Sequence, residues 1–379
     1  MKKLLPEVCT IQYGFPFDSA KFSDSNGMPL IRIRDVVRGY SETYTTEEYK
    51  SEYIVHENDL LIGMDGEFNI AKWGKTPALL NQRVCRLAPN DSIDKDYLFY
   101  FMPIALKRIE EKTPFVTVKH LSAKELNKIE IPILPLEEQR KIAETLSKVD
   151  ELIAFRDRQL AKLDELVKAR FVEMFGNPIE NTMNWPKKLL RDITTKIGSG
   201  ATPKGGRESY PNAGVSLIRS MNVYDGQFLY KDLAHLTDEQ ATQLNGVTVE
   251  AEDVLVNITG ASVARSCVVP KDVLPARVNQ HVAIVRCNRE LLNPIFTNKM
   301  FINNEFKKAL LSIGESGGAT RQAITKKQLE ELSVVVPPLS IQNEFFTFSE
   351  CVDQQKQTVQ QSLDKLELMK KALMQECFG

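Results

Sequence analysis

A long gapless repeat constrains this chain more than any other feature. Shifting the sequence by 203 positions places Leu121–Gly176 on Ile324–Gly379 without an insertion. Shorter matches upstream keep the same order. We therefore predict two copies of one unit, each with a globular part followed by a helical part. The identities include Leu126/Leu329, Pro135/Pro338, Leu136/Leu339, Gln139/Gln342, Asp150/Asp353, Leu160/Leu363, Leu163/Leu366 and Phe175-Gly176/Phe378-Gly379.

The repeated segment has the pattern of a long amphipathic helix. Downstream of Pro135, apolar residues recur every three or four positions, as in the seam of a coiled coil. Two glutamates in the first turn, and Gly176 followed by Pro178, are helix start and stop signals. A helix of some 40 residues has a length of about 60 Å. The seam residues are Ile142, Leu146, Val149, Ile153, Leu160, Leu163, Val167, Phe171 and Met174.

The two helical copies differ along their seams. Ile153 of the first copy corresponds to Lys356 of the second, whereas Arg156 corresponds to Val359. Such differences are expected when two helices pack as unequal partners. Two similar units joined head to tail pack most simply about an approximate twofold axis. We therefore predict antiparallel helices with one globular part at each end.

The composition is that of a globular protein with room for more than one domain. The chain has 379 residues and a net charge of -1, and no apolar run approaches the roughly 20 residues of a membrane span. Its six cysteines form no Cys-x-x-Cys pair, which argues against a zinc site and a disulfide framework. The first residues do not resemble a secretion signal, so we expect a cytoplasmic protein.

Charge is segregated along the chain although the total is near zero. Residues 69–89 contain four basic residues and no acid, and residues 187–219 contain seven basic residues and two acids. Residues 42–67 are strongly acidic. This segregation is typical of a face that binds a polyanion in a neutral protein, and an ordinary solvated surface is the alternative.

The globular parts consist of short apolar runs separated by Gly, Asn, Asp and Pro, a pattern of strands and turns. We expect antiparallel or mixed sheets, closed by a helix at residues 96–111 in the first part and at residues 293–312 in the second. The predicted fold class is α+β: two mixed α/β globular domains, separated by two long helices that form an antiparallel coiled coil, in a pseudo-twofold internal repeat.

No constellation of catalytic residues is present in the sequence. The four histidines are unclustered, and the Gly-rich run at residues 198–206 lacks the Gly-Lys-Ser/Thr ending of a nucleotide loop. There is no Asn/Asp-Pro-Pro-aromatic tetrad of an adenine methyltransferase. We expect this chain to carry no catalytic residue, metal or cofactor.

Binding residues occupy equivalent places in the two globular parts. Asn81-Gln82-Arg83 corresponds to Asn279-Gln280-His281, and the loop tip at Gly66 corresponds to that at Gly260. Amide side chains pair with adenine and arginine with guanine, although an Asn-Gln pair before a strand also commonly fixes a turn. Lys119-His120 is further matched with Arg321-Gln322, where solvated residues are the alternative to backbone contacts.

The Gly-rich run adds Lys204 and Arg207, which suit a DNA phosphate unless the run is a plain exposed turn. The candidate DNA-binding residues are Asn69, Lys72, Asn81, Gln82, Arg83, Lys119, Lys204, Arg207, Arg265, Asn279, Gln280, Arg321 and Gln322.

The order of these parts carries a family likeness. A globular part, a Pro-Leu-x-x-Gln helix ending in Phe-Gly, a second globular part and a second such helix resemble the specificity subunit of type I restriction–modification systems. The likeness covers essentially the whole chain, and the helical repeats are its most specific part. The run Asp-Leu-Leu-Ile-x-Met-Asp-Gly-Glu ending at Glu67, and Gly-Ser-Gly-Ala-Thr-Pro ending at Pro203, are similar to that family's target-recognition domains.

The resemblance implies a DNA reader without catalysis of its own. Each head is expected to recognise one half of a bipartite asymmetric target, with the paired helices setting the gap. Two methyltransferase subunits, which bind S-adenosylmethionine, are expected to dock near the helices and methylate an adenine in each half. Restriction/translocase subunits complete the restriction complex, and no membrane takes part. The implied domains are target-recognition domains at residues 1–134 and 178–337 and helical spacers at residues 135–177 and 338–379.

Two other functions stay open at this point. A coiled-coil adaptor could use its heads to bind proteins, although the basic stretches and the Asn/Gln/Arg positions favour DNA. A self-sufficient methyltransferase or nuclease is disfavoured by the absent motifs. A steep salt dependence of binding separates DNA recognition from the adaptor.

Overall fold

The chain forms two units, each of which contains part of both long helices. The computed structural model describes residues 1–74, 76–112, 119–203, 210–315 and 322–379. The first unit comprises Met1–Arg158 together with Gln360–Gly379, and the second comprises Gln159–Val359.

Besides the end of the second long helix, the described residues of the first unit form short strands and five helices or helix segments. Its helices are α1 (Leu5–Val8), α2 (Ile33–Arg38), α3 (Lys95–Lys112), α4 (Ala123–Asn127) and the start of α5 (Leu136–Phe175). Its strands are β1 (Lys2–Leu4), β2 (Cys9–Tyr13), β3 (Phe22–Ser23), β4 (Met28–Ile31), β5 (Tyr44–Thr45), β6 (Ile54–Val55), β7 (Leu60–Gly63), β8 (Ile70–Lys72), β9 (Ala78–Leu80), β10 (Val84–Pro89) and β11 (Glu130–Pro132).

These strands form three sheets. Strands β2-β10-β7-β8 make an antiparallel sheet, and β3-β5-β4-β9-β6 make a mixed sheet in which β4 and β9 run parallel. Strands β1 and β11 pair antiparallel and bring the two ends of the head together. Strand β7 is buried along its whole length, as expected for a strand covered on both faces.

The second unit has the corresponding elements in the same order. Its helices are the end of α5, α6 (Asp238–Gln243), α7 (Pro294–Phe301), α8 (Asn304–Glu315), α9 (Lys326–Glu330) and the start of α10 (Leu339–Phe378). Its strands are β12 (Lys187–Leu189), β13 (Thr194–Ser199), β14 (Val215–Ile218), β15 (Val223–Tyr224), β16 (Gln227–Phe228), β17 (Ala234–Leu236), β18 (Thr248–Val249), β19 (Val254–Asn257), β20 (Ser266–Val268), β21 (Ala276–Val278), β22 (Val282–Cys287) and β23 (Ser333–Val335).

The sheets of the second unit repeat the topology of the first, except that its mixed sheet has no counterpart of the edge strand β3 among the described residues. Strands β13-β22-β19-β20 form an antiparallel sheet, and β17-β14-β21-β18 form a mixed sheet in which β14 and β21 run parallel. Strands β12 and β23 close this head as β1 and β11 close the first. The hairpin β15–β16 is an additional element of the second unit, where the first unit has helix α2.

The two long helices pack antiparallel within each unit. In the first unit, Asp150 of α5 pairs with Lys370 of α10 at 2.6 Å, and Arg156 donates to Ser362 at 3.1 Å. Residue numbers therefore rise on one helix as they fall on the other. This confirms the antiparallel arrangement predicted from the repeat.

The second unit shows the same direction with different residues. Lys356 of α10 pairs with Asp164 of α5 at 2.5 Å, and Arg170 pairs with Glu344 at 3.1 Å. Lys356 occupies the position in α10 that corresponds to Ile153 in α5. This difference between the two seams provides an ion pair between the helices.

A buried glutamine fixes the start of each long helix against its head. The amide of Gln139 donates to the carbonyl oxygens of Leu134 (2.8 Å) and Ser92 (3.3 Å) and accepts from the backbone of Asp94 (2.8 Å). Asp94 in turn caps α3 by accepting from the backbone of Tyr97. The Pro-Leu-x-x-Gln pattern therefore holds the long helix against the N-terminus of α3.

Gln342 makes the same set of bonds in the second unit. It donates to the carbonyl oxygens of Pro337 (2.7 Å) and Leu291 (3.0 Å) and accepts from the backbone of Asn293 (2.9 Å), which is the N-cap residue of α7. Both glutamines are fully buried.

The Phe-Gly ending of each long helix packs against a head. In the first unit, the ring of Phe378 lies 5.1 Å from that of Tyr97 on α3. In the second, the ring of Phe175 lies 4.6 Å from that of Phe296 on α7 and 5.4 Å from that of Phe345 on α10. Each head is thus bound by the start of one long helix and the end of the other.

The predicted α+β architecture with an internal repeat is confirmed, with one correction. The helix expected at residues 293–312 is two helices, α7 and α8, interrupted at Ile302 and Asn303. Asn303 breaks the run because its side chain caps α8, accepting from the backbone of Glu305 at 3.1 Å. Over the residues described, no helix is both long and apolar enough to cross a membrane.

Candidate nucleic-acid interface

Three segments distant in sequence lie side by side just beyond the end of β7. The backbone N of Met64 donates to the carbonyl oxygen of Arg83 (3.0 Å), and that of Leu121 donates to Met64 (2.7 Å). The backbone N of Gly66 donates to the carbonyl oxygen of Lys119 (2.9 Å). These bonds are the backbone frame of what we call the first loop cluster, residues 64–69, 81–83 and 119–121.

The turn at residues 81–83 directs two polar side chains into solvent. Asn81 is buried, and its Oδ1 accepts from the backbone N of Gln82 at 2.7 Å. A Cβ at Gly14 would lie 2.0 Å from the carbonyl oxygen of Asn81, so this close approach requires glycine. Asn81 therefore has the turn-fixing role, while Gln82 and Arg83 are exposed.

Asp65 lies between Arg83 and His120 in the first loop cluster. Its Oδ2 is 3.3 Å from Nη1 of Arg83, and its Oδ1 is 2.5 Å from Nδ1 of His120. The Asp65 side chain is 17% exposed, whereas those of Arg83 and His120 are 54% and 51% exposed. One sheltered carboxylate thus holds two exposed donors.

The remaining predicted residues of the first unit differ in their surroundings. Nζ of Lys119 donates to the carbonyl oxygen of Glu110 at 2.9 Å. Lys72 pairs with Asp96 of α3 at 2.8 Å, so its charge is directed to that helix. The buried Oδ1 of Asn69 has no hydrogen-bond partner among the described residues. Asn69 and Lys119 belong to the first loop cluster, and Lys72 does not.

The second unit repeats the backbone frame. The backbone N of Ile258 donates to the carbonyl oxygen of His281 (2.9 Å), and that of Ile324 donates to Ile258 (2.8 Å). The backbone N of Gly260 donates to the carbonyl oxygen of Gln322 (3.0 Å). The second loop cluster comprises residues 258–265, 279–281 and 322–324.

The side chains on the second frame are different. Thr259 takes the place of Asp65, and its Oγ1 is hydrogen-bonded to Nδ1 of His281, which takes the place of Arg83. Ala323 takes the place of His120. The second loop cluster therefore carries no counterpart of the carboxylate that joins Arg83 and His120.

The turn at residues 279–281 is built like its counterpart. Asn279 is buried, and its Oδ1 accepts from the backbone N of His281 at 3.1 Å. A Cβ at Gly200 would lie 1.7 Å from the carbonyl oxygen of Val278, so glycine is again required. The exposed Gln280 accepts from Oγ1 of Thr202, and its Nε2 lies 3.2 Å from Nε2 of His281.

Arg265 and Gln322 lie at the borders of the second loop cluster. The guanidinium of Arg265 stacks 4.2 Å from the ring centroid of Tyr224, a cation–π contact with the additional hairpin. Nε2 of Gln322 donates to Glu315 at 2.7 Å. Lys204, Arg207 and Arg321 lie outside the residues that the structure describes.

The predicted match between Lys119-His120 and Arg321-Gln322 is wrong by one residue. Gly66 bonds to Lys119 and Gly260 bonds to Gln322, so Lys119 corresponds to Gln322 and His120 to Ala323. The gapless shift of 203 positions, which pairs Leu121 with Ile324, also covers these residues. The prediction therefore placed the matching pair one residue too early in the second unit.

Sequence reasoning missed Asp65, Thr202 and Thr259. A signal was available for two of them, because Asp65 precedes Gly66 as Thr259 precedes Gly260 in loop tips already matched. Both glycines have a left-handed φ, 78° and 76°, which identifies the same turn in both units.

The described side chains of the clusters offer hydrogen bonds and charge. Among the described residues, no group of three or more His, Cys, Asp and Glu could hold a metal ion. The cysteines of the sheets are buried, and burial raises the pKa of Cys9, Cys85 and Cys267 to about 12, so their thiols stay protonated at neutral pH. Exposed Arg, Gln and His side chains on a fixed backbone suit contacts to base edges and phosphates.

Comparisons with known proteins agree with this arrangement. A family model of the type I restriction modification DNA specificity domain matches residues 1–165 and again residues 183–368. The specificity subunit of type I restriction enzyme EcoBI from Escherichia coli is 29% identical, over 93% of this chain and 80% of its own length. The putative MjaX specificity subunit from Methanocaldococcus jannaschii is 24% identical, over 93% and 86%.

A solved structure has the same fold. The S subunit of a type I restriction–modification system from M. genitalium superposes with a TM-score of 0.61 at 15% identity, covering 100% of this chain and 96% of the other. The chain therefore belongs to the type I restriction modification DNA specificity family and is a DNA-recognition subunit.

Proposed function

We propose that the two loop clusters contact separate halves of one bipartite, asymmetric DNA target. The observation that carries this proposal is a shared backbone frame with different side chains: Asp65, Arg83 and His120 on the first, and Thr259, His281 and Ala323 on the second. Two equivalent scaffolds with unlike donors and acceptors are expected to prefer unlike base sequences. The target-recognition domains then correspond to residues 1–134 and 178–337.

The charge of the chain agrees with a role inside a larger complex. Its net charge of -1 gives little general attraction to DNA, so partner subunits supply many of the phosphate contacts in this proposal. Two methyltransferase subunits, each binding S-adenosylmethionine, would methylate one adenine in each half, and restriction/translocase subunits would add cleavage. This chain contributes recognition and no catalytic group.

The long helices offer apolar surface for such partners. In the first unit, Leu152 and Phe155 of α5 are about half exposed, and in the second unit so are Leu166 and Val172. Leu152 and Phe155 are three positions apart and therefore share one face of α5, and contiguous exposed apolar patches are typical of protein contact sites. We place the methyltransferase contacts on these helices, outside the loop clusters.

Methylation mapping tests the proposal. Adenine methylation is mapped genome-wide with this gene intact, deleted, and restored. The expected result is a two-part motif with one methylated adenine in each half, lost on deletion and regained on restoration. DNA binding by the purified complex is expected to fall steeply with salt. A genome unchanged by deletion, or binding that is insensitive to salt, would favour a protein-binding adaptor.

A further inference from the structure

We infer that Asp65 is a positioning residue that holds Arg83 for the recognition of a guanine in the half-site read by the first unit. The inference rests on the proposed function, in which each loop cluster contacts one half of the target. For the first loop cluster it specifies the base that is recognised and the two residues responsible. It concerns the first unit alone.

The backbone frame places Asp65 where a carboxylate can serve both neighbours. Residues 64–65 lie between the segments that carry Arg83 and His120, with backbone hydrogen bonds on both sides. Oδ2 faces the guanidinium of Arg83 at 3.3 Å, and Oδ1 faces the imidazole of His120 at 2.5 Å. With one contact on each oxygen, the carboxylate cannot rotate without losing a partner.

The guanidinium of Arg83 keeps donors for a ligand. Only its Nη1 faces Asp65, and within the described part of the chain no other acceptor is bonded to it. A guanidinium has five N–H donors in a fixed fork, so an edge is left that matches the O6 and N7 acceptors of guanine. An anchored fork also loses less side-chain entropy on binding than a free one.

The carboxylate also changes what Arg83 can discriminate. An unpaired arginine is attracted to every phosphate, whatever the sequence. The negative charge of Asp65 beside it weakens this general attraction and leaves directional hydrogen bonds as the main contribution. Base selectivity therefore depends on Asp65 as well as on Arg83.

The second unit supplies an internal control. Its frame carries Thr259, His281 and Ala323 at these positions, and its Gln280 already has partners in Thr202 and His281. A guanidinium held by a carboxylate is therefore a device of the first loop cluster. Changes at Asp65 and Arg83 should leave the half-site of the second unit untouched.

The experiment uses the chain in complex with its methyltransferase subunits and selects bound duplexes from a randomised DNA library. The variants are Arg83→Ala, Arg83→Lys, Asp65→Asn and, as the matched control in the second unit, Gln280→Ala. Wild type is expected to select a two-part sequence with a guanine at one position of one half.

Arg83→Ala and Arg83→Lys should reduce the preference for that guanine roughly 10- to 100-fold, and Asp65→Asn should reduce it several-fold at the same position. The other half-site should be unchanged. Replacing that guanine by 7-deazaguanine, which lacks N7, should weaken wild type and not Arg83→Ala. Gln280→Ala should alter the opposite half only.

Three outcomes would overturn the inference. Equal losses on all sequences in Arg83→Ala, restored by Arg83→Lys, would make Arg83 a phosphate contact. An unchanged preference in Asp65→Asn, with Arg83→Ala affected, would remove the role of Asp65. A selected half-site without guanine would reject the base assignment. If wild type selects no two-part sequence at all, the proposed function itself fails, which is a separate result.

Discussion

The two loop clusters have one backbone frame and two sets of side chains. In both units a left-handed glycine, Gly66 or Gly260, donates to the segment that precedes the long helix. Where the first unit then presents a carboxylate with two cationic or ionisable neighbours, the second presents a hydroxyl, an imidazole and a methyl group. The frame is fixed by backbone hydrogen bonds, so side chains on it can vary without a change in fold.

The units also differ in what borders the clusters. After β4 the first unit forms helix α2, and after β14 the second forms the β15–β16 hairpin, whose Tyr224 contacts Arg265. Strand β7 ends at Gly63, and the corresponding strand β19 ends at Asn257. The side chain of Asn257 donates to the carbonyl oxygens of Ser220 (2.9 Å) and Val223 (3.4 Å), at the start of the hairpin. The asparagine that replaces glycine at this position therefore binds the segment leading into the β15–β16 hairpin, which is the additional element of the second unit.

The largest expected effect concerns the phenylalanines that end the long helices. Phe175→Ala should lower the free energy of unfolding of the second unit by roughly 3–5 kcal/mol, because it leaves a cavity among aromatic rings. Phe378→Ala should affect the first unit at the lower end of that range, since Phe378 is 6% exposed. Hydrogen exchange along a urea series would assign each loss to a unit. Equal losses in both units from either variant would contradict this assignment.

The next effect compares two equivalent ion pairs. In the second unit Asp253 is 1% exposed and binds Arg286 through two bonds of 2.8 and 2.9 Å, while in the first Asp59 is 27% exposed and binds Arg86 through one of 3.1 Å. Asp253→Ala should cost about 2–3 kcal/mol and Asp59→Ala about 1–2 kcal/mol, because Asp253 is the more buried carboxylate and makes more bonds to its arginine, while Arg286 keeps Glu250 as a partner. Urea unfolding measures both. A larger loss for Asp59→Ala would reverse the ranking.

The smallest effect concerns equivalent positions on α3 and α7. Tyr100 donates to Asp150 at 3.0 Å, and burial followed by that carboxylate raises its pKa. Tyr100→Phe should cost about 1 kcal/mol. Lys299 takes this position in the second unit, and burial lowers its pKa from 10.5, opposed by Asp353.

The folded state therefore disfavours the charged form of Lys299. This penalty is present below the folded pKa and is relieved as pH rises toward the unfolded value of 10.5. Lys299→Met should raise the free energy of unfolding at pH 7, and its advantage over wild type should shrink as the pH rises. Urea unfolding at neutral and alkaline pH is the measurement. Destabilisation at pH 7 would show that the charge of Lys299 is needed.

The sequence predicted the helices well because their signals are local and repeated. A periodic apolar pattern of some 40 residues, present twice without a gap, located both long helices after Pro135 and Pro338. It also indicated their antiparallel packing, since two similar units favour a twofold arrangement. The turns at Asn81 and Asn279 were matched correctly because the Asn-Gln pair is also a local signal that occurs in both units.

The heads were less predictable because their contacts join distant segments. Most strands have two to four residues, and parallel pairs such as β4 with β9 leave no local pattern. Asp65 was missed because an Asp-Gly pair suggests only a turn. Its role depends on Arg83 and His120, which adjoin it through folding of the sheet and not through sequence spacing.

The strand pairs β1–β11 and β12–β23 have a consequence for how such proteins diversify. Because each head begins and ends on adjacent antiparallel strands, its first and last strands lie about 5 Å apart. A different domain with a matching pair of terminal strands can therefore be inserted at the same place in the chain. Recombination between genes at these two points would transplant a complete reading surface, provided that the new head keeps the contacts to the buried glutamine of one long helix and to the terminal phenylalanine of the other.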